Sequence, residues 1–130
     1  MSTKIEHLNN APGAPTPVGA YSQAVKVGDV VHLAGQIGIA PETGELVSGG
    51  IKAEALQVFE NIRAVLMFAG SSPVEIVMCS IFLAEMSDAK EVNQLYSSFI
   101  NPESAPARQT VAVKELPLGA LIEISVIAAC

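Results

Sequence analysis

Positive charge is scarce in this chain. Seven lysine and arginine residues stand against thirteen aspartate and glutamate residues, which gives a formal net charge of −6, and no basic residues are clustered. Proteins that bind nucleic acid normally need a basic patch that displaces counterions from the phosphates. The sequence therefore argues against a nucleic-acid partner, although a small anion held by one arginine remains compatible with it.

Charge of either sign is low, at 15% of the residues, against about a quarter in typical soluble domains. Half of the 130 residues are hydrophobic, enough to fill the core of a single domain over residues 1–130. A small domain has much surface relative to its volume, so a weakly charged one is expected to pack some of it against copies of itself. An apolar monomer is the alternative, and composition does not separate the two.

Residues that usually bind metals are also few. Cys79 lies in an apolar run, Cys130 is the last residue, and His7 and His32 have no partners at metal-binding spacing. We expect free thiols and no metal site. No signal-peptide pattern and no apolar run of membrane-spanning length is visible. The sequence predicts a soluble protein without a membrane partner, located in the cytoplasm or an organelle.

Proline and glycine are abundant in residues 9–20, which are therefore expected to form a loop. Alternating apolar residues around Gly28 then predict a hairpin. Apolar residues spaced by three and four predict a helix over residues 51–69, ended by Gly70, and a second helix from Ser87 to Phe99. Strands are predicted at 76–84, 109–113 and 121–128.

This order of elements predicts an α+β fold, a sheet with both helices on one face. Two helices cannot cover both faces of so apolar a sheet, which is a second reason to expect an oligomer. The unbroken apolar run of residues 76–84 is typical of a strand covered on both faces. If the last two strands form a hairpin, Arg108 faces Ile127 and Glu123 faces Ala112, too far apart to grip one small substrate directly. The alternatives are a different register, long side chains that lean inward, or a meeting of the two residues across a subunit boundary.

Arg108 follows two prolines and opens a strand-like run. Its guanidinium is charged at any working pH and can bind a carboxylate through two hydrogen bonds. A stiff loop–strand junction can hold such a side chain against a cleft. An exposed or ion-paired arginine is the alternative, and on this residue alone it is the better explanation.

Glu123 is a single carboxylate within the apolar strand of residues 121–128. Burying its charge unaided is costly, so it must be paired, hydrated or functional. Partial desolvation would raise its proton affinity and suit it to general acid–base catalysis. A carboxylate on an exposed face, or in an ion pair, is an equally good explanation.

Taken together, several motifs and their spacing resemble the Rid family, also called YjgF. They are GAYSQAV (19–25), AGQI (34–37), ENI (60–62), AGSSPVEIV (69–77), VNQLY (92–96), PAR (106–108) and LPLGALIEISVIA (116–128). The resemblance covers nearly the whole chain. No single motif is decisive, and it is their common order that is specific.

The resemblance implies a chorismate-mutase-like α+β domain, with a mixed sheet and two helices on one face. Three copies form a trimeric barrel with ligand clefts between subunits. It also implies hydrolysis of reactive 2-imino and 2-enamino acids, such as 2-iminobutanoate and 2-iminopropanoate, to a 2-oxo acid and ammonia without a cofactor. The implied partners are thus a small 2-imino or 2-oxo acid and two further copies of the chain.

By the same resemblance, Arg108 binds the substrate carboxylate and Glu123 positions or activates water. Other cleft positions of the family match Tyr21, Gly35 and Asn93 in this sequence. A packing tyrosine, a strand bend and a solvated helix residue are the respective alternatives for these three.

By the resemblance Thr110 is also a substrate-binding residue; it stands where some members have a cysteine lining the cleft, so that thiol is not essential. The chain departs from the family pattern at three positions. Ala20 replaces a common proline, Ala34 replaces a serine, and Glu54 replaces a glutamine. The changes at 20 and 34 are expected to alter loop stiffness and substrate preference and to leave deamination intact.

Two other functions stay open, ranked below the deaminase. One is a non-catalytic sensor or chaperone that binds small carboxylates in the same cleft. The other is an endoribonuclease that inhibits translation, against which the negative net charge weighs.

Overall fold

Residues 4–130 are described by a computed structural model, and within them six strands form one sheet in the order β1-β2-β3-β6-β4-β5. The strands are β1 (Ile5–Leu8), β2 (Ala24–Val27), β3 (Val30–Leu33), β4 (Ile76–Leu83), β5 (Ala107–Ala112) and β6 (Ile122–Ala129), and the helices are α1 (Gly50–Phe68) and α2 (Ala89–Phe99). Of the paired strands, β4 and β5 run parallel and the rest antiparallel. The predicted mixed α+β sheet is confirmed.

Both helices pack on one face of the sheet, as predicted. The apolar stripe of α1 is fully buried, and alternate residues of β6 face it. These β6 residues are Ile122, Ile124, Val126 and Ala128. Burying each large aliphatic side chain contributes about 1.5–3 kcal/mol to folding. The predicted helix stop at Gly70 is confirmed by its left-handed φ of 81°.

The opposite face of the sheet, called the open face here, has no helix over it in this chain. Strand β4 shows the contrast, because Cys79, Ile81 and Leu83 are buried while Val77 is 53% exposed. The prediction that this strand is covered on both faces is therefore wrong for the single chain. An apolar run cannot distinguish a face buried by the chain's own helices from one left for another chain.

Strands β5 and β6 are not neighbours, so the predicted hairpin is wrong. Strand β4 lies between them, parallel to β5 and antiparallel to β6. The reason is that β4, α2 and β5 form a βαβ unit, whose crossover helix returns the chain in parallel beside the first strand. Helix α2 begins at Ala89, and the residue that precedes it is Asp88 instead of the predicted Ser87.

Candidate functional site

Glu123 points to the open face, because its neighbours Ile122 and Ile124 point into the core. It lies in a cavity of about 480 Å³ whose lining is otherwise mostly apolar. The lining residues are Val18, Tyr21, Ala34, Gly35, Ile37, Ile39, Pro117, Leu118 and Glu123. Partial burial raises the pKa of the Glu123 carboxyl above its ordinary value. A carboxylate in this environment holds a proton more readily than an exposed one, which suits it to proton transfer.

Gly35 lies directly beside Glu123 because Gln36 pairs with Ile124. The two backbone hydrogen bonds of that pair measure 2.8 and 3.0 Å. A Cβ atom at position 35 would lie 2.9 Å from Oε2 of Glu123. The family resemblance places Gly35 in the ligand cleft, and the space left by its missing side chain is occupied by the Glu123 side chain.

Two buried polar side chains of α1 hold other parts of the cavity wall. Asn61 donates hydrogen bonds to the carbonyls of Ile37 and Ile39, at 3.3 and 2.9 Å. Glu54 accepts a hydrogen bond of 2.8 Å from the backbone N–H of Leu121, two residues before Glu123. The departure at Glu54 thus contributes to positioning the start of β6.

The Pro/Gly-rich loop that carries Tyr21 is ordered by Gln23. This residue is fully buried, accepts from the N–H of Ala11 at 2.9 Å and donates to the carbonyl of Pro15 at 2.6 Å. The Tyr21 hydroxyl accepts from the N–H of Val18 at 3.3 Å, and its ring lines the cavity. Tyr21 is thus a wall of the Glu123 cavity.

Arg108 lies on the edge strand β5 and points to the helix side of the sheet. Its Nη1 donates a 2.7 Å hydrogen bond to Oδ1 of Asn93, and its guanidinium carbon lies 4.8 Å from the centre of the Tyr96 ring. Thr110 is two residues further along β5 and thus on the same side. Cavities of about 300 and 380 Å³ flank the Arg108–Asn93 pair, and Thr110 lines the first. The remaining guanidinium N–H groups are available to a carboxylate.

The six predicted site residues thus form two groups, one with Glu123, Tyr21 and Gly35 and one around Arg108. In the sheet Cys79 pairs with Arg108, while Phe82 pairs with Glu123. The two side chains are therefore separated by three residues along β4, about 10 Å, and by two strand spacings, about another 10 Å. They also point to opposite faces, so one chain cannot place both on one small molecule.

Comparisons with known proteins agree with this fold. The family model described as Endoribonuclease L-PSP matches residues 11–130. A RutC family protein of Pyrococcus abyssi is 47% identical over 115 residues, 88% of this chain and 90% of that protein. A 2-iminobutanoate/2-iminopropanoate deaminase of Dermatophagoides farinae is 42% identical over 124 residues, 95% and 94% of the two chains.

A solved structure gives the same result. The Rid-family protein YyfA of Yersinia pestis superposes with a TM-score of 0.93 at 38% identity, covering 98% of this chain and all of that one. The chain belongs to the Rid family, the Endoribonuclease L-PSP family of the matching model.

Some residues at the two candidate sites of this Rid-family chain were not identified as functional from the sequence. The helical spacing of Tyr96 indicates only a residue that packs in the core, and it is the pairing of β5 with β4 that brings Arg108 over its ring. Leu118 lines the Glu123 cavity with a left-handed φ of 57° and 68% exposure. The signal was present, since an apolar residue held outward between Pro117 and Gly119 indicates a contact surface.

Within residues 4–130 of this Rid-family chain, no three His, Cys, Asp or Glu side chains are grouped as metal ligands. Neither of the helices described is long and apolar enough to span a bilayer. The chemistry available at the two groups is that of a guanidinium and of a carboxylate with raised proton affinity.

Proposed function

We propose that this chain hydrolyses 2-imino and 2-enamino acids to 2-oxo acids and ammonia, at sites formed between subunits. The observation that carries the proposal is the pair of groups just described: a guanidinium held by Asn93 with free donors, and a half-buried carboxylate in an apolar cavity. These are the two groups that such a reaction needs. Similarity to proteins named 2-iminobutanoate/2-iminopropanoate deaminase, of mite, mouse and human, supports the substrate class.

The reaction begins when Arg108 binds the substrate carboxylate and so fixes the position of C2. The substrate reacts with its imine nitrogen protonated: Glu123 accepts a proton from water as the water oxygen bonds to C2, and a neutral aminoalcohol forms. Glu123 then gives that proton to the nitrogen and takes up the hydroxyl proton as the C–N bond breaks and the C2 carbonyl forms, so ammonia leaves and the proton on Glu123 is returned to solvent. One carboxylate serves both steps because water adds to the same carbon, C2, from which ammonia then leaves. This sequence of steps consumes one water and uses no cofactor.

The opposite orientations of Arg108 and Glu123 lead to a site that two chains share. The open face is largely apolar in the single chain, with Val30 and Val111 37% and 43% exposed, so it is suited to pack against another copy. In a cyclic trimer each interface joins two different surfaces. The edge strand β5 of one subunit can then meet the Glu123 cavity of the next and complete a cleft.

Mixing two inactive variants tests this arrangement. Arg108→Lys and Glu123→Gln chains are unfolded together, refolded in equal amounts and assayed for 2-oxo acid formation from enzymatically generated 2-iminopropanoate. If each site takes Arg108 from one subunit and Glu123 from its neighbour, about a quarter of the sites in random trimers regain both native residues. Each variant refolded alone is the control.

No recovery in the mixture would show that both residues of a site come from the same chain, and activity of either variant refolded alone would show that the residue changed in it has no role. The assembly is checked by light scattering, where the expected mass is three times the 13.5 kDa of one chain. A stable monomer with full activity would contradict both the trimer and the shared site. Carboxylate binding without turnover in the wild type would favour a ligand sensor instead.

A further inference from the structure

Tyr96 is placed to act on Arg108 and not only on the core. Its side chain is 5% exposed, and one face of its ring carries the Arg108 guanidinium at 4.8 Å. Asn93, three residues earlier on α2, holds Nη1 of the same guanidinium at 2.7 Å. Residues three apart share one face of a helix. Helix α2 therefore contacts the guanidinium twice, at its edge through Asn93 and at its flat face through Tyr96.

The orientation of the Tyr96 ring is fixed by burial. Its hydroxyl points inward, lies beside the Cys79 thiol and has no hydrogen-bond partner of normal geometry within the described chain. Burial raises the pKa of Tyr96 to about 12 and that of Cys79 to about 11, so both are neutral at pH 7. The guanidinium therefore meets a neutral ring face, which attracts cations through its quadrupole.

An exposed arginine on an edge strand normally samples many rotamers and loses that freedom when it binds a ligand. We propose that Tyr96 is a positioning residue for Arg108: together with Asn93 it fixes the plane of the guanidinium before substrate arrives. The N–H groups not bonded to Asn93 are then already arranged for a two-point grip on a carboxylate. This inference rests on the proposed role of Arg108 in substrate binding.

Phe99 provides a matched control. It is also an aromatic residue on the buried side of α2, 8% exposed, and it also lies under an arginine, Arg63, at 5.3 Å. It stacks on Phe59 and has no contact of this kind with Arg108. Loss of this ring damages the helix packing to a similar degree without removing the support of Arg108.

The experiment measures calorimetric binding of a 2-oxo acid, together with KM and kcat for imine hydrolysis, in Tyr96→Leu, Tyr96→Phe and Phe99→Leu. Tyr96→Leu should weaken binding and raise KM about tenfold with a much smaller change in kcat, because the ring face is lost and Glu123 is untouched. Tyr96→Phe should keep the affinity and the KM of the wild type, because it retains the aromatic ring. Phe99→Leu should lower the melting temperature and leave KM near that of the wild type.

A double variant tests whether Tyr96 acts through Arg108. In an Arg108→Lys background the added Tyr96→Leu change should weaken binding by much less than tenfold. A full tenfold loss there, or equal effects of Tyr96→Leu and Phe99→Leu on KM, would overturn the inference while leaving the proposed function intact. If Arg108→Lys alone binds the 2-oxo acid normally, the proposed carboxylate grip fails, and the role of Tyr96 fails with it.

Discussion

The two faces of the sheet hold their candidate residues in different ways. On the helix side, Arg108 is exposed but is held by Asn93 and Tyr96 of its own chain. On the open face, Glu123 is half-buried in a mostly apolar cavity, and its pKa is raised by desolvation. In the proposed function the first group binds the substrate carboxylate, and the second exchanges a proton.

Under the proposed function, this difference places binding and chemistry in separate parts of the chain. No element carries both functions, since β5 contributes the guanidinium and β6 the carboxylate, with β4 between them. Substitutions on one face should therefore affect affinity, and those on the other should affect turnover. The predictions below test that separation.

The largest effect is expected for Glu123→Gln. The amide keeps the shape of the side chain but cannot accept a proton from water at neutral pH, so turnover should fall by about 10²–10⁴-fold. Binding of a 2-oxo acid, measured by calorimetry, should persist because Arg108 is unchanged. Ser125→Ala, on the same strand and face, is the control. Unchanged hydrolysis in the Gln variant would remove Glu123 from the mechanism.

Arg108→Lys is expected to act mainly on affinity. Lysine keeps the charge but cannot reproduce a planar two-point grip. Losing such a contact costs about 2–4 kcal/mol of transition-state binding, which is measured as a lower kcat/KM. The trimer should remain intact by light scattering. Arg63→Lys, the other arginine stacked on an aromatic ring of α2, is the control. Wild-type turnover at position 108 would show that the residue is merely structural or exposed.

A smaller loss, on the order of tenfold in kcat, is expected for Gly35→Ala, because a misplaced catalytic group still retains part of its effect. The new Cβ would displace the Glu123 carboxylate from 2.9 Å, and a flexible side chain can move aside without unfolding the chain. Gly38→Ala is the contrasting variant, since its Cβ would lie 3.0 Å from the Glu54 backbone. The melting temperature should therefore change little in Gly35→Ala and fall clearly in Gly38→Ala. The reverse order would contradict this placement of Glu123.

The smallest effect expected is on stability. Because the pKa of Glu123 is raised in the folded chain, its contribution to stability is present at low pH and is lost as pH rises through the folded pKa. At pH 7 the charged carboxylate is thus unfavourable, and Glu123→Gln should melt a few degrees higher than the wild type. Below the unfolded pKa of about 4.3 the difference should disappear.

The opposite result would sharpen the comparison of the two faces. If Glu123→Gln is less stable than the wild type at pH 7, the carboxylate is paired with a cation in the assembled protein. Repeating the melting experiment in an Arg108→Met background identifies that cation, because the difference should vanish there if Arg108 of the neighbouring subunit supplies it.

Local patterns predicted most of the elements. The spacing of apolar residues located α1 to within one residue at each end, and Gly28 located the turn between β2 and β3. Strand order was not predictable in the same way. The chain between β5 and β6 is short enough for a hairpin. Instead, helix α2 returns the chain so that β5 pairs in parallel with β4, and β6 pairs with the other edge of β4.

The candidate residues themselves were identified from the sequence, by their chemistry and by resemblance to a family. Their grouping was not accessible from the sequence. Whether Arg108 and Glu123 point to the same face depends on the register of β4 with both of its neighbours. The role of Tyr96 was missed for the same reason, since helical spacing identifies an inner face but not the residue that lies over it.

The sequence by itself determined the element types, the apolar core and the identity of the two charged residues, because hydrophobic periodicity and side-chain chemistry are local properties. Only the tertiary structure decided that the guanidinium and the carboxylate lie on opposite faces of one sheet. That outcome depends on strand pairing between distant segments, where a shift of one residue moves a side chain to the other face.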